Sequence, residues 1–190
     1  MGIRSFLAFE LPVEIKSEIT SISGQLKKKG LPVRWVKPDN IHLTLAFLGS
    51  VEEDKIVDIA DKITMQVKDC PQPEVRLNGI GVFPDLKRPR VIWVGLDGDI
   101  MILSILRNKL QNGLKGIGFK PEKRPFKPHL TLGRFKNSLV KDPKIKEAIA
   151  EHYHAKGDLY YLKELVLFKS DLRPKGPIYT KMNVWPLEKT

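Results

Sequence analysis

The chain has 190 residues, enough for one ordinary domain or two small lobes sharing a core, and its 42% hydrophobic and 29% charged content excludes a largely disordered chain. Lys and Arg outnumber Asp and Glu by 33 to 22, a formal charge of +11 that suits a polyanionic partner such as nucleic acid, nucleotide phosphates or an anionic membrane surface. A solvated basic surface accounts for the same charge. The single Cys70 closes no intramolecular disulfide, as in proteins of a reducing compartment. Phe6-Leu7-Ala8-Phe9 is cut short by Glu10 and Pro12, and no segment approaches the roughly 18 apolar residues of a spanning helix. The expectation is a soluble cytoplasmic protein without a membrane segment.

In chain order, Arg4 to Glu10 reads as a short aromatic strand, and Pro12 stands where a helix over Val13 to Leu26 begins, with Ile15, Ile19, Ile22 and Leu26 on one face. Lys27-Lys28-Lys29-Gly30 closes that helix at the negative end of its dipole. Strands follow at Val33 to Val36 and Asn40 to Leu48. Ser50 and Glu52-Glu53-Asp54 open a second helix with the stripe Ile56, Ala60, Ile63 and Val67. Beyond Pro71 and Pro73 come a strand over Glu74 to Phe83, a turn at Pro84-Asp85 and a strand over Arg90 to Leu96. A helix over Asp99 to Leu114 carries Ile102, Ile105, Leu106 and Leu110. The remaining elements are a strand over Phe126 to Phe135, a helix from Pro143 to about Tyr153, and strands over Glu164 to Ser170 and Tyr179 to Trp185.

This order of elements is duplicated, and each half contains one His-Leu-Thr-Leu strand: His42 to Leu45 and His129 to Leu132. Two pseudo-equivalent α+β lobes within a single domain, residues 1–190, are expected, with the site in the cleft between them. Residues two apart on a strand share a face, so His42 lies beside Thr44 and His129 beside Thr131, while the leucines turn to the core. Opposed across a cleft, these four side chains form a cradle.

An imidazole with an ordinary pKa near 6.5 exists in either protonation state at working pH, so two of them supply an acid and a base. In-line displacement at phosphorus needs such a pair, one activating the nucleophile and the other protonating the leaving oxygen. The hydroxyls of Thr44 and Thr131 can donate to the non-bridging oxygens. This chemistry needs neither metal nor cofactor. The copies differ three residues past the threonine, where Phe47 faces Arg134 in the alignment of the two motifs. Phe47 suits either the core or the wall of a base pocket, the core being the commoner use. Arg134 suits phosphate, since Gly133 lets the strand bend and redirect a side chain that alternation would turn away.

At these residues the sequence resembles the two-histidine phosphoesterases, and among them the RNA 2′,3′-cyclic phosphodiesterases, also named 2′-5′ RNA ligases. The resemblance runs through Arg4 to Phe9, Trp35 to Gly49, Gly81 to Pro84, Pro89 to Trp93, Pro128 to Arg134, and Ser170 with Gly176 to Tyr179. It implies a duplicated bilobal α+β fold with two antiparallel sheets facing a central cleft and helices on the outside. It also implies metal-free hydrolysis of a terminal RNA 2′,3′-cyclic phosphate to a 2′-phosphate. By the same resemblance His42 is the general acid and His129 the general base, and Thr44, Thr131 and Arg134 hold phosphate. The symmetry of the two motifs permits the reverse assignment. The partner is then RNA with a 2′,3′-cyclic end, the chain acting as a monomer, and ligation to a 5′-hydroxyl is the same chemistry with a different nucleophile.

Weaker signals are open to plainer readings. His152 and His154 suit a helix C-terminus better than a metal site. Trp35, Trp93 and Trp185 are more in keeping with burial than with base stacking. Lys120, Lys123, Arg124 and Lys127 line either an RNA approach or a solvated loop. Rival functions are a non-catalytic RNA-binding module and a phosphodiesterase for small cyclic nucleotides or 2′-5′ oligonucleotides.

Overall fold

The computed structural model of the chain describes residues 2–136, 143–152, 157–174 and 176–189. Its first half runs β1 (Ile3–Glu10), α1 (Val13–Lys28), β2 (Val33–Trp35), a 3-10 turn (Pro38–Asn40), β3 (His42–Val51), α2 (Lys55–Val67) and β4 (Glu74–Phe83). The second runs β5 (Val91–Gly98), α3 (Ile100–Lys115), β6 (His129–Phe135), α4 (Pro143–His152), β7 (Tyr160–Tyr161), β8 (Glu164–Arg173) and β9 (Gly176–Pro186). The strands form two antiparallel sheets, ordered β3-β1-β8-β9 and β2-β6-β5-β4-β7. The fold is α+β, with the sheets facing a central cleft and the helices outside. β2 joins the second sheet while β8 and β9 return to the first, so neither sheet is built from one half of the chain.

α1 starts directly after Pro12, carries Glu14 in its first turn and ends on Lys27 and Lys28, charges that suit the two ends of its dipole. Its buried Ile15, Ile19 and Leu26 pack with Leu7 and Phe9 of β1, Leu43 of β3 and Leu165 and Leu167 of β8. The same core takes in Leu77, Ile92 and Leu130 of the second sheet and Leu103 and Leu106 of α3, so one continuous core backs both sheets. Each fully buried Leu or Ile contributes about 1.5–3 kcal/mol to this packing. A second, small cluster of Phe6, Ala8, Val166 and Phe168, with Tyr179 against it, lies apart from that core on the opposite side of the first sheet.

Four local expectations are corrected. Ser50 does not open α2. It pairs with Arg4 inside β3, which runs on to Val51. α2 turns Ile59, Ile63 and Val67 fully inward, with Ile56 and Ala60 only partly buried against the core. In α3 the buried face is Leu103, Leu106, Leu110 and Leu114, and Ile105 is half exposed. The strand read from Phe126 begins at His129. No helix among the described residues is long and apolar enough to cross a membrane.

Candidate active site

Both His-Leu-Thr-Leu strands carry a β-bulge at the same place. β3 pairs with β1 as Thr44 with Ala8 and then Ala46 with Leu7, leaving Leu45 as the extra residue. β6 pairs with β5 as Thr131 with Trp93 and then Gly133 with Ile92, leaving Leu132 as the extra residue. An extra residue reverses the alternation beyond it. The position three past each threonine therefore returns to the face of the histidine. Phe47 pairs with Phe6, which belongs to the cleft-side cluster, and Arg134 pairs with Val91 across from the buried Ile92 row. Phe47 is 73% exposed and makes a tilted contact with Phe6 at 6.1 Å. It lies outside the core, against the commoner use of that residue type.

The two imidazoles are held alike. His42 Nδ1 lies 3.0 Å from the Asn40 carbonyl and His129 Nδ1 lies 2.7 Å from the Lys127 carbonyl. A carbonyl only accepts, so in each ring Nδ1 carries the hydrogen and donates, and Nε2 is left to exchange a proton. Asn40 is itself fixed, its side-chain amide donating to the Pro177 carbonyl at 3.0 Å across to β9. Aromatic rings set both ring planes. His42 stacks on Phe6 at 4.6 Å and meets the edge of Tyr179 at 5.2 Å. His129 lies edge-on to Phe83 at 4.8 Å and to Trp93 at 6.2 Å. Lys127 places its ammonium 4.4 Å from the centre of the Trp93 ring.

Burial disfavours the charged imidazole and takes His42 down to about 4, against the opposing pull of the Asn40 carbonyl. His129 is also lowered, first by burial and further by the Lys127 charge, while its carbonyl partner works the other way. Burial thus favours the neutral imidazole at both positions in the free protein. Thr44 and Thr131 are half-buried beside them, and neither hydroxyl has a hydrogen-bond partner among the described residues. Tyr179 links the two sides: its ring touches His42, and its hydroxyl, raised in pKa by burial, is opposed by the charges of Arg134 and Arg4. The structure thus gathers Thr44, His42 and Phe47 on one side with Arg134 reaching the Tyr179 neighbourhood from the other. Tyr179, Arg4, Phe6 and Phe83 were not singled out by the motif pattern. All four lie in stretches that carry the family resemblance, and strand alternation places Arg4, Phe6 and Ala8 on one face.

Gly133 makes this arrangement sterically possible. A Cβ there would sit 2.4 Å from Val33 Cγ1 and 3.0 Å from the Arg34 carbonyl, so β2 approaches β6 only because the position is glycine. The Gly133→Val variant is expected to lose about 1–3 kcal/mol, seen as a lower urea midpoint at unchanged slope. A midpoint equal to that of the parent would mean that β2 is not held against β6 in solution.

Gly81 plays a similar part beneath Trp93, whose ring a Cβ at that position would overlap at 2.2 Å. Trp93 is buried in the cleft-side floor, and Trp185 is buried with its indole donating to Thr64 Oγ1 at 2.8 Å. Trp35 packs on the core. In the lead-in to β6, the buried Arg107 of α3 lies 5.1 Å from the centre of the Phe126 ring and anchors that segment. Arg124 is paired with Glu122 at 2.7 Å, whereas Lys120 and Lys123 are exposed. Among the described residues no three His, Cys, Asp or Glu side chains gather as metal ligands. His154 lies outside the described residues, as does the side chain of His152.

Residues 9–93 and 99–179 match the family model of the LigT-like phosphoesterases. The chain is 35% identical to an RNA 2′,3′-cyclic phosphodiesterase of Methanothermobacter thermautotrophicus, over 98% of this chain and 100% of that one. A crystal structure of a Thermus thermophilus protein superposes with a TM-score of 0.81 at 25% identity, covering 97% of this chain and 98% of that one. LigT of E. coli, crystallised with NADP+, superposes with a TM-score of 0.76 at 28% identity, covering 98% of each chain. With the family model spanning both bulged histidine strands, the chain belongs to the LigT-like phosphoesterases.

Proposed function

We propose that the protein hydrolyses RNA 2′,3′-cyclic phosphate ends to 2′-phosphates by proton transfer between His42 and His129, without a metal ion. The observation that carries this reading is the pair of imidazoles whose Nδ1 donates to a backbone carbonyl, each beside a threonine, with neither Nε2 nor the threonine hydroxyl hydrogen-bonded among the described residues. His129 takes a proton from water as it attacks phosphorus, and His42 gives one to the departing 3′ oxygen as the P–O3′ bond breaks. The roles of the two histidines follow the family resemblance. Thr44, Thr131 and Arg134 hold the non-bridging oxygens as charge gathers on them. Phe47, exposed beside Phe6, offers a face on which the terminal base stacks. A ribose 5′-hydroxyl in place of water turns the same displacement into 2′-5′ joining.

The protein is read as one domain of two pseudo-equivalent lobes over residues 1–190, each giving one His-x-Thr strand, acting as a cytoplasmic monomer. The test is a short RNA with a 2′,3′-cyclic end, incubated with the protein in excess EDTA. A 2′-phosphate product is expected at the rate seen without chelator. Binding without loss of the cyclic end would leave an RNA-binding module in place of an enzyme. Activity abolished by EDTA would overturn the metal-free mechanism.

A further inference from the structure

The second sheet treats two of its cross-strand pairs in opposite ways. Arg76 of β4 faces Asp97 of β5, and the two form an ion pair at 3.2 Å. Arg34 of β2 faces Arg134 of β6, cation against cation. Directly opposed residues lie about 4.5–5.5 Å apart at Cβ, and like charges there destabilise the sheet. Val33 and Trp35, on either side of Arg34, pack on the core, so Arg34 shares the cleft side with Arg134. Both side chains are exposed, and among the described residues neither is in an ion pair or a side-chain hydrogen bond. The neighbouring charges have the same sign. Lys136 hydrogen-bonds through its backbone to the Pro32 carbonyl, Arg90 bonds through its carbonyl to Phe135 N–H, and both are exposed and unpaired among the described residues.

A repulsive pair at the mouth of the cleft, with no ion pair among the described residues to relieve it, is stabilised by anions from outside the chain. On the function proposed above, Arg134 holds the reacting phosphate. Arg34 sits one strand further out, on β2 at the edge of the sheet. On the reading given above, we infer that Arg34 grips the phosphodiester one nucleotide upstream of the cyclic end, so that the site selects RNA oligomers over cyclic mononucleotides. The guanidinium fork is suited to two phosphate oxygens, and two adjacent phosphates neutralise the two opposed arginines together.

The experiment compares three substrates: adenosine 2′,3′-cyclic phosphate, the adenylyl dinucleotide ending in the same cyclic phosphate, and that dinucleotide with an uncharged methylphosphonate linkage. The parent protein is expected to prefer the charged dinucleotide. Arg34→Ala is expected to lower the dinucleotide-to-mononucleotide ratio of kcat/KM by about tenfold or more, mostly through KM, with part of the loss restored in Arg34→Lys. The methylphosphonate is expected to lower the parent's ratio by the same factor and to cause no further loss in Arg34→Ala, because each change removes one side of one contact. The salt dependence of dinucleotide binding, measured by calorimetry, is expected to flatten by about one phosphate contact in that variant. A ratio unchanged in Arg34→Ala, or a methylphosphonate loss that persists in it, would overturn the assignment. Absence of hydrolysis with all three substrates would instead overturn the functional reading, and the calorimetric comparison of charged and uncharged linkages would still decide the role of Arg34.

Discussion

His42→Ala and His129→Ala are each expected to lower single-turnover cleavage of an RNA 2′,3′-cyclic end by about a hundredfold or more, the usual range for losing a positioned acid or base. Both losses are expected to be large because the two sites are built alike: each ring is oriented by a carbonyl two residues upstream and by two flanking aromatic rings. The double variant is expected to lose little more than the worse single variant, since an acid and a base that act in one displacement fail together. His42 also stacks on Phe6, so His42→Gln, which keeps a polar planar group there, serves as a control for folding. A near-parental rate in either alanine variant, with the fold intact by circular dichroism, would remove that histidine from the chemistry.

The parts of this site that could be read from the sequence are those that obey local periodicity. The strand assignments around His42 and His129 needed only alternation of leucine with polar residues, and the doubled tetrapeptide marked them as a pair. The bulges at Leu45 and Leu132 were not legible, because one skipped residue has no fixed composition. They decide where Phe47 and Arg134 point. Gly133 was a usable hint for the second, and Phe47 had no equivalent. In α3 the run Ile100-Met101-Ile102-Leu103 followed by Ile105-Leu106 is apolar all round at its start, so three- and four-residue spacing fits more than one stripe. Packing against α2 and the sheets selects Leu103 and leaves Ile105 half exposed. Arg34 reaches Arg134 through the pairing of β2 with β6, and the β8–β9 hairpin that carries Tyr179 reaches the first sheet through the pairing of β8 with β1; both pairings join strands distant in sequence, which no local pattern records.

The pH dependence of kcat/KM is expected to be a bell with its maximum on the acid side of 6.5, because both imidazoles of the free protein are held below their ordinary value. The working state holds one proton on the pair. Above the higher of the two pKa values, the singly protonated fraction falls about tenfold per pH unit, and below the lower value both rings are protonated and no base remains. A bound phosphate favours imidazolium, so the bell for kcat is expected to lie at higher pH than the bell for kcat/KM. Lys127 provides an internal check. Its charge lowers His129, so Lys127→Met is expected to raise that pKa and carry the alkaline limb of kcat/KM upward in pH. A maximum above pH 7 that ignores this substitution would overturn the assignment of the limbs to these two rings. The profile alone belongs to the pair, and a 3′-phosphorothiolate end divides the roles. Its leaving sulfur needs no proton, so it is expected to restore cleavage in His42→Ala and leave His129→Ala impaired. The opposite pattern would exchange acid and base, placing the proton donor on the ring that burial holds less firmly in its neutral form.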